Sequence, residues 1–133
     1  MARRIWSEVE ESRLLSVLTS LTQTPMWNAA QGTFNPAYMN YVQAVMDVEF
    51  PDAAIEEIHI KTKIFRWKQT CKVILNLMHT PGFDWDPARH EVVAEDHVWA
   101  AYLQDHPKAQ LARGVQFPQF NDWCLCFVPR RNP

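Results

Sequence analysis

The stretch from Ile60 to Met78 constrains the fold more than any other. Projected at about 100° per residue, Ile60, Ile64, Trp67, Cys71, Ile74, Leu75 and Met78 fall within roughly 60° of one direction. A stripe that straight, held over about five turns, fits a long helix buried along one side. It does not fit a strand, whose side chains alternate between faces. The spacing predicts a helix over 56–78. Its opposite side collects Thr62, Phe65, Arg66, Gln69, Lys72 and Val73, with Lys61 and Lys68 flanking the stripe on one side and Lys63 on the other. Residues 60–80 hold five basic groups and no carboxylate. The remainder holds eight basic against fifteen acidic groups, a net −7 in a chain of net −2. The helix is therefore either a contact surface for a polyanion or a core helix with a solvated basic face.

Other elements follow from caps and punctuation. Ser7 with Glu10 three residues on reads as a capping box, opening a helix that runs to about Leu21. Its first turn is acidic (Glu8, Glu10, Glu11), as the helix dipole prefers. Residues 22–35 look irregular, and Asn35-Pro36 reads as an N-cap with proline at the first helical position, starting a second helix that Pro51 ends. After Thr80-Pro81-Gly82 comes a turn-rich connector with a short extended piece at Glu91–Val93. A fourth helix over 95–104 and a last one over 119–127 follow, with a short turn from Pro107 between them. Trp6, Trp67, Trp85 and Trp99 read as structural. Trp27, in the irregular loop, is either a lid on the core or an exposed contact.

The fold expectation is all-α. A three-helix bundle covers 1–80, a helical extension packed on it covers 81–128, and an unstructured tail covers 129–133. The length suits one domain with an extension. An abrupt end after a folded segment reads as a domain cut from a longer chain. The start MARRIWSEVEES turns acidic at once and does not resemble a signal peptide, and no apolar run approaches the ~18–20 residues of a membrane span. Cys71, Cys124 and Cys126 are odd in number without framework spacing, which favours thiols in a reducing compartment. The chain reads as soluble and intracellular.

Chemistry offers little. Asp84 and Asp86 flank Trp85, but in a proline-bounded turn without an evident partner they read as turn-capping or solvated groups. The five histidines are scattered, and Cys124-Leu-Cys126 has the wrong gap for a zinc knuckle. On a helix, a spacing of two puts these cysteines on different faces, one buried and one half-exposed. Cys71 reads as a small apolar core residue. The expectation is no enzyme, no metal, no cofactor and no small-molecule substrate. On periodicity alone, a solvated basic face ranks slightly ahead of a contact surface.

Several segments together resemble the plant Myb/SANT-like domain family of nuclear, transposon-related Myb-like proteins. They are Trp6-Ser7, HIKTKIFRWK (59–68), PGFDWD (81–86), AEDHVWAAYLQDHPKA (94–109) and FPQFNDWCLCF (117–127), in the family's order over nearly the whole chain. The resemblance implies a Myb-type helix-turn-helix bundle whose third helix is the recognition helix, followed by a helical extension. It also implies a nuclear protein that binds DNA or chromatin partners. The "His-Ile-x-x-Lys-Ile-x-x-Trp-Lys" match puts Ile60, Ile64 and Trp67 in the core and the intervening residues toward DNA. The match implies that Lys61, Thr62, Lys63, Phe65, Arg66 and Gln69 lie near where a Myb-type helix would face DNA. Adding the other cations of the helix, the candidate DNA-binding set is Lys61, Thr62, Lys63, Arg66, Lys68, Gln69 and Lys72, with Arg66, Thr62 and Gln69 nearest the bases.

Two functions follow. One is DNA binding through the third helix in transcription regulation, weak and salt-sensitive because the field of the whole chain is not attractive to a polyanion. The other is a protein–protein interaction module with little or no DNA binding, for which Phe65, an aromatic off the core stripe, is the candidate contact. Val73 and Leu77, also off the stripe, are expected to be covered by the extension.

Overall fold

The computed structural model describes residues 4–130. The Ser7 hydroxyl accepts the Glu10 N–H at 3.1 Å, and a Glu10 carboxylate oxygen accepts the Ser7 N–H at 2.9 Å. Two amide donors at the helix end are satisfied reciprocally, and helix α1, Glu8–Leu21, begins there. Leu14, Leu15, Val17, Leu18 and Leu21 are its buried side. Helix α2, Tyr38–Glu49, buries Met39, Val42 and Met46. It starts two residues later than the Asn35-Pro36 signal predicts. The Asn35 side chain accepts the Ala37 N–H at 2.9 Å and so closes the turn before the helix, not the helix itself. Helix α3, Glu57–Met78, is the longest.

The all-α expectation needs correction: the structure is mostly helical, with two small antiparallel hairpins. Strands β1 (Trp27–Asn28) and β2 (Thr33–Phe34) pair Trp27 with Phe34. Gly32 sits in their connection at φ 67°, and a Cβ there would lie 2.7 Å from the Pro129 nitrogen, so both conformation and space call for glycine. Strands β3 (Asp84–Asp86) and β4 (Glu91–Val93) pair Trp85 with Val92. The extended piece at 91–93 was legible; its partner was not. Three-residue strands are too short to display a period, and β3 lies within a run that reads as turn. Asp86 does cap that turn, its Oδ1 accepting from Ala88 N–H at 3.0 Å and Arg89 N–H at 3.2 Å. Helix α4 spans Asp96–Asp105, a six-residue 3-10 helix spans Pro107–Ala112 where a turn was expected, and α5 spans Phe120–Phe127.

The chain divides into two compact units, and the division cuts α3 after Phe65 and α5 after Asn121. The first unit takes the residues up to Phe65 together with those from Asp122 onward. Its core combines the buried sides of α1 and α2 with Trp27, Ile55, Ile60, Ile64, Trp123 and Cys126. The Trp27 indole N–H donates to the Cys126 carbonyl at 2.8 Å, and the Arg130 guanidinium lies 4.7 Å from the indole centroid. Trp27 is therefore a core residue and not an exposed contact. Arg130 donates its N–H to the Ala29 carbonyl at 2.7 Å, so the expected tail is tied down at its first residues; 131–133 lie outside the described residues.

The second unit, Arg66–Asn121, has its own aromatic core. Phe83 meets Trp99 edge-on at 4.9 Å and Tyr102 at 5.3 Å, and Trp85 packs against Phe120 at 4.9 Å. Within it α3 buries Trp67, Cys71, Ile74 and also Leu77, which is fully buried, whereas Leu75 and Met78 are half-buried. Leu77, off the stripe, was expected to be covered and is; Leu75 and Met78, on the stripe, are less buried than it predicted. A single projection assumes one direction of burial along a helix, and the two halves of α3 belong to different cores.

Candidate nucleic-acid interface

Five buried residues, Ile60, Ile64, Trp67, Cys71 and Ile74, fix which side of α3 faces water. Phe65 lies near the middle of that side and is 60% exposed. Ile58, Lys61, Thr62, Lys68, Gln69 and Lys72 fall within about 60° of it around the helix axis, and all are exposed. Arg66, also exposed, lies roughly 100° away at the rim. The three lysines sit on one side of Phe65, and Thr62 with Gln69 on the other. From Lys61 to Lys72 the face rises about 16 Å. It belongs to one unbroken helix, so helix geometry alone defines it. Lys61 Nζ reaches Glu57 at 3.1 Å; an exposed pair one turn apart contributes little and is easily exchanged for another anion.

Lys63 does not share this face. Its ammonium pairs with Glu11 at 2.8 Å, its side chain is only 18% exposed, and it lies 5.7 Å from the Trp6 ring centroid. Trp6 has a second cation, Arg4, at 5.1 Å. Arg4 in turn pairs with Glu10 at 2.7 Å and donates to the Ala53 carbonyl at 3.0 Å. Trp6, Arg4 and Lys63 thus tie the segment before α1 to α1, to α3 and to the connection ahead of α3. Burial acts to raise the Glu10 carboxyl, but the Ser7 N–H, the Arg4 charge and the Ser7 hydroxyl outweigh it and hold the group below its ordinary value. Sequence reasoning could see the charge on Lys63 but not its tertiary partner. It also overlooked Ile58, 53% exposed, whose only signal is its place two turns before Phe65.

Two of the three cysteines lie on α5. Cys126 is fully buried and Cys124 half-buried, as their spacing on a helix predicts. Burial, then the Asp122 charge, pushes the Cys126 thiol up to about 12, which makes it a poor ligand or nucleophile. Among the described residues no group of three or more His, Cys, Asp or Glu is arranged to hold a metal, and no helix is long and apolar enough to cross a membrane.

A 46-residue stretch is 46% identical to an uncharacterized protein of Arabidopsis thaliana; it covers 35% of this chain and 15% of that protein. No solved structure matches the chain. The profile of the Myb/SANT-like DNA-binding domain, a non-catalytic family, matches residues 5–102, which take in α1, α2, α3 and most of α4. The chain belongs to the Myb/SANT-like DNA-binding domain family.

Proposed function

We propose that this chain binds double-stranded DNA through the exposed face of α3, in a nuclear, transcription- or transposon-related protein. The observation that carries this reading is the face itself. Lys61, Lys68 and Lys72 line one side, Thr62 and Gln69 the other, with Arg66 at the rim and no acidic residue between Lys61 and Lys72. A helix enters the major groove in this manner, with cations on phosphates and polar side chains on base edges. Lys63 serves the interface indirectly, by holding α3 to α1 through Glu11.

Four cations on phosphates give a salt dependence with a log–log slope of about −3 to −4. Fluorescence anisotropy with labelled duplexes at two salt concentrations measures it. Arg66→Ala with Lys68→Ala is expected to weaken binding to every duplex and flatten the slope, with circular dichroism unchanged. No binding to any duplex at low salt overturns the reading.

A second reading has its own observation. Tyr41 and Val48 on α2 are 52% and 80% exposed; at i and i+7 they lie on one side of the helix. This pair favours a protein partner, with little or no DNA bound. Loss of a co-purifying partner on Tyr41→Ala with Val48→Ala, while DNA binding is absent in the parent chain, supports it.

A further inference from the structure

Phe65 is the residue that phosphate contacts do not explain. A large apolar ring at the centre of a basic face, with exposed Ile58 beside it, gains free energy when something apolar covers it. The lysines around it disfavour an apolar protein surface, because they would be desolvated there without partners. In a major groove lined by phosphates the apolar group available at the centre is the C5-methyl of thymine, and phenylalanine is among the side chains that contact it. The ring's neighbour on the same face, Gln69, is one turn on. A turn rises about 5.4 Å, close to two base-pair steps, and glutamine can take adenine through N6 and N7 together.

Resting on the DNA-binding reading, we infer that Phe65 is a specificity-determining residue that reads the thymine methyl group, with Gln69 taking an adenine within two base-pair steps, so that the chain prefers A·T-containing major grooves. Thr62, about 60° from Phe65 on the Gln69 side, has a methyl and a hydroxyl to offer at the same edge. The lysines on the opposite side fix the helix to the backbone and carry no sequence information.

The test uses pairs of duplexes that differ by one methyl group per pyrimidine. Anisotropy is measured at low salt for alternating A·T against alternating A·U duplexes, and for alternating G·C against the same duplex with 5-methylcytosine. The full chain is compared with Phe65→Ala and Phe65→Leu. Replacing thymine by uracil is expected to weaken the parent chain about fourfold, the worth of roughly one buried methyl group. Phe65→Ala is expected to bind the A·T and A·U duplexes equally, with its salt slope unchanged, and Phe65→Leu to restore part of the preference. Because Phe65 is exposed, its variants keep the helix content and melting temperature of the parent.

Equal, firm binding of the parent to A·T and A·U duplexes sinks the methyl contact and leaves DNA binding standing. A methyl preference that survives in Phe65→Ala also sinks it. A methyl effect seen only with 5-methylcytosine overturns the choice of thymine. Failure to bind any of the four duplexes removes the DNA-binding reading, and this inference with it.

Discussion

Trp27 shows what a single side chain does here. Its ring is buried and its N–H satisfies the Cys126 carbonyl. Trp27→Phe keeps an aromatic ring but leaves a buried acceptor without its donor, a loss of about 1–3 kcal/mol. The urea midpoint is expected to fall accordingly; an unchanged midpoint refutes the role. The partners are 99 residues apart, and for that reason the bond was invisible in the sequence. A lone tryptophan in a loop fits a lid and an exposed contact equally well. Cys126 was easier, because its helical spacing from Cys124 placed it on a different face. Lys63 shows the opposite error. Charge patterning grouped it with its neighbours, but the Glu11 carboxylate and the Trp6 ring take it out of the exposed set.

Among the elements, α1 and α3 were legible nearly to the residue, because a capping box and a 3.6-residue period are local signals. The hairpins were not, since two- and three-residue strands carry no period, and the close approach at Gly32 comes from Pro129, far along the chain. The cap on α1 can be tested directly. Ser7→Ala should cost about 1 kcal/mol in thermal or urea unfolding. Glu10 is held below its ordinary value of 4.5 in the folded chain. Its contribution is therefore present above about pH 4.5 and is lost as pH falls through the lowered value. The stability gap between the parent and Glu10→Gln should narrow as pH is lowered from 7 to below 4.5, and a constant gap would rule out the linkage. On α3, Lys72→Gln should reduce the salt slope of DNA binding by about 1. Lys63→Gln should leave the slope as it is and lower stability by up to about 1 kcal/mol. The pair of variants separates contact from support on one helix.

For the whole molecule, charge and chain topology matter most. Outside residues 60–80 the chain is net −7, so its long-range field does not attract DNA, and the proposed binding would have to rest on short-range contacts along α3. Those contacts release counterions from the phosphates, so affinity should fall with salt even where the contacts are well formed. The first compact unit draws on both ends of the sequence. A chain ending at Asn121 loses Trp123 and Cys126 from that core. By comparison with large-to-small core substitutions it should lose at least about 3–5 kcal/mol. Melting followed by tryptophan fluorescence checks this; a truncated chain as stable as the parent would show those residues to be dispensable. The family match ends at 102, so a boundary drawn from it alone would discard part of the first core.

The tie between Trp27 and Cys126 also sets an order of events. The second unit is continuous in sequence and can condense as soon as its residues are available. The first must close a loop of nearly a hundred residues, and long-range closure slows folding. A nascent chain emerging from its N-terminus exposes the apolar sides of α1 and α2 well before α5 is made to complete their core. Those sides stay open until Trp123 and Cys126 are made, so the first core is the last to be completed during synthesis.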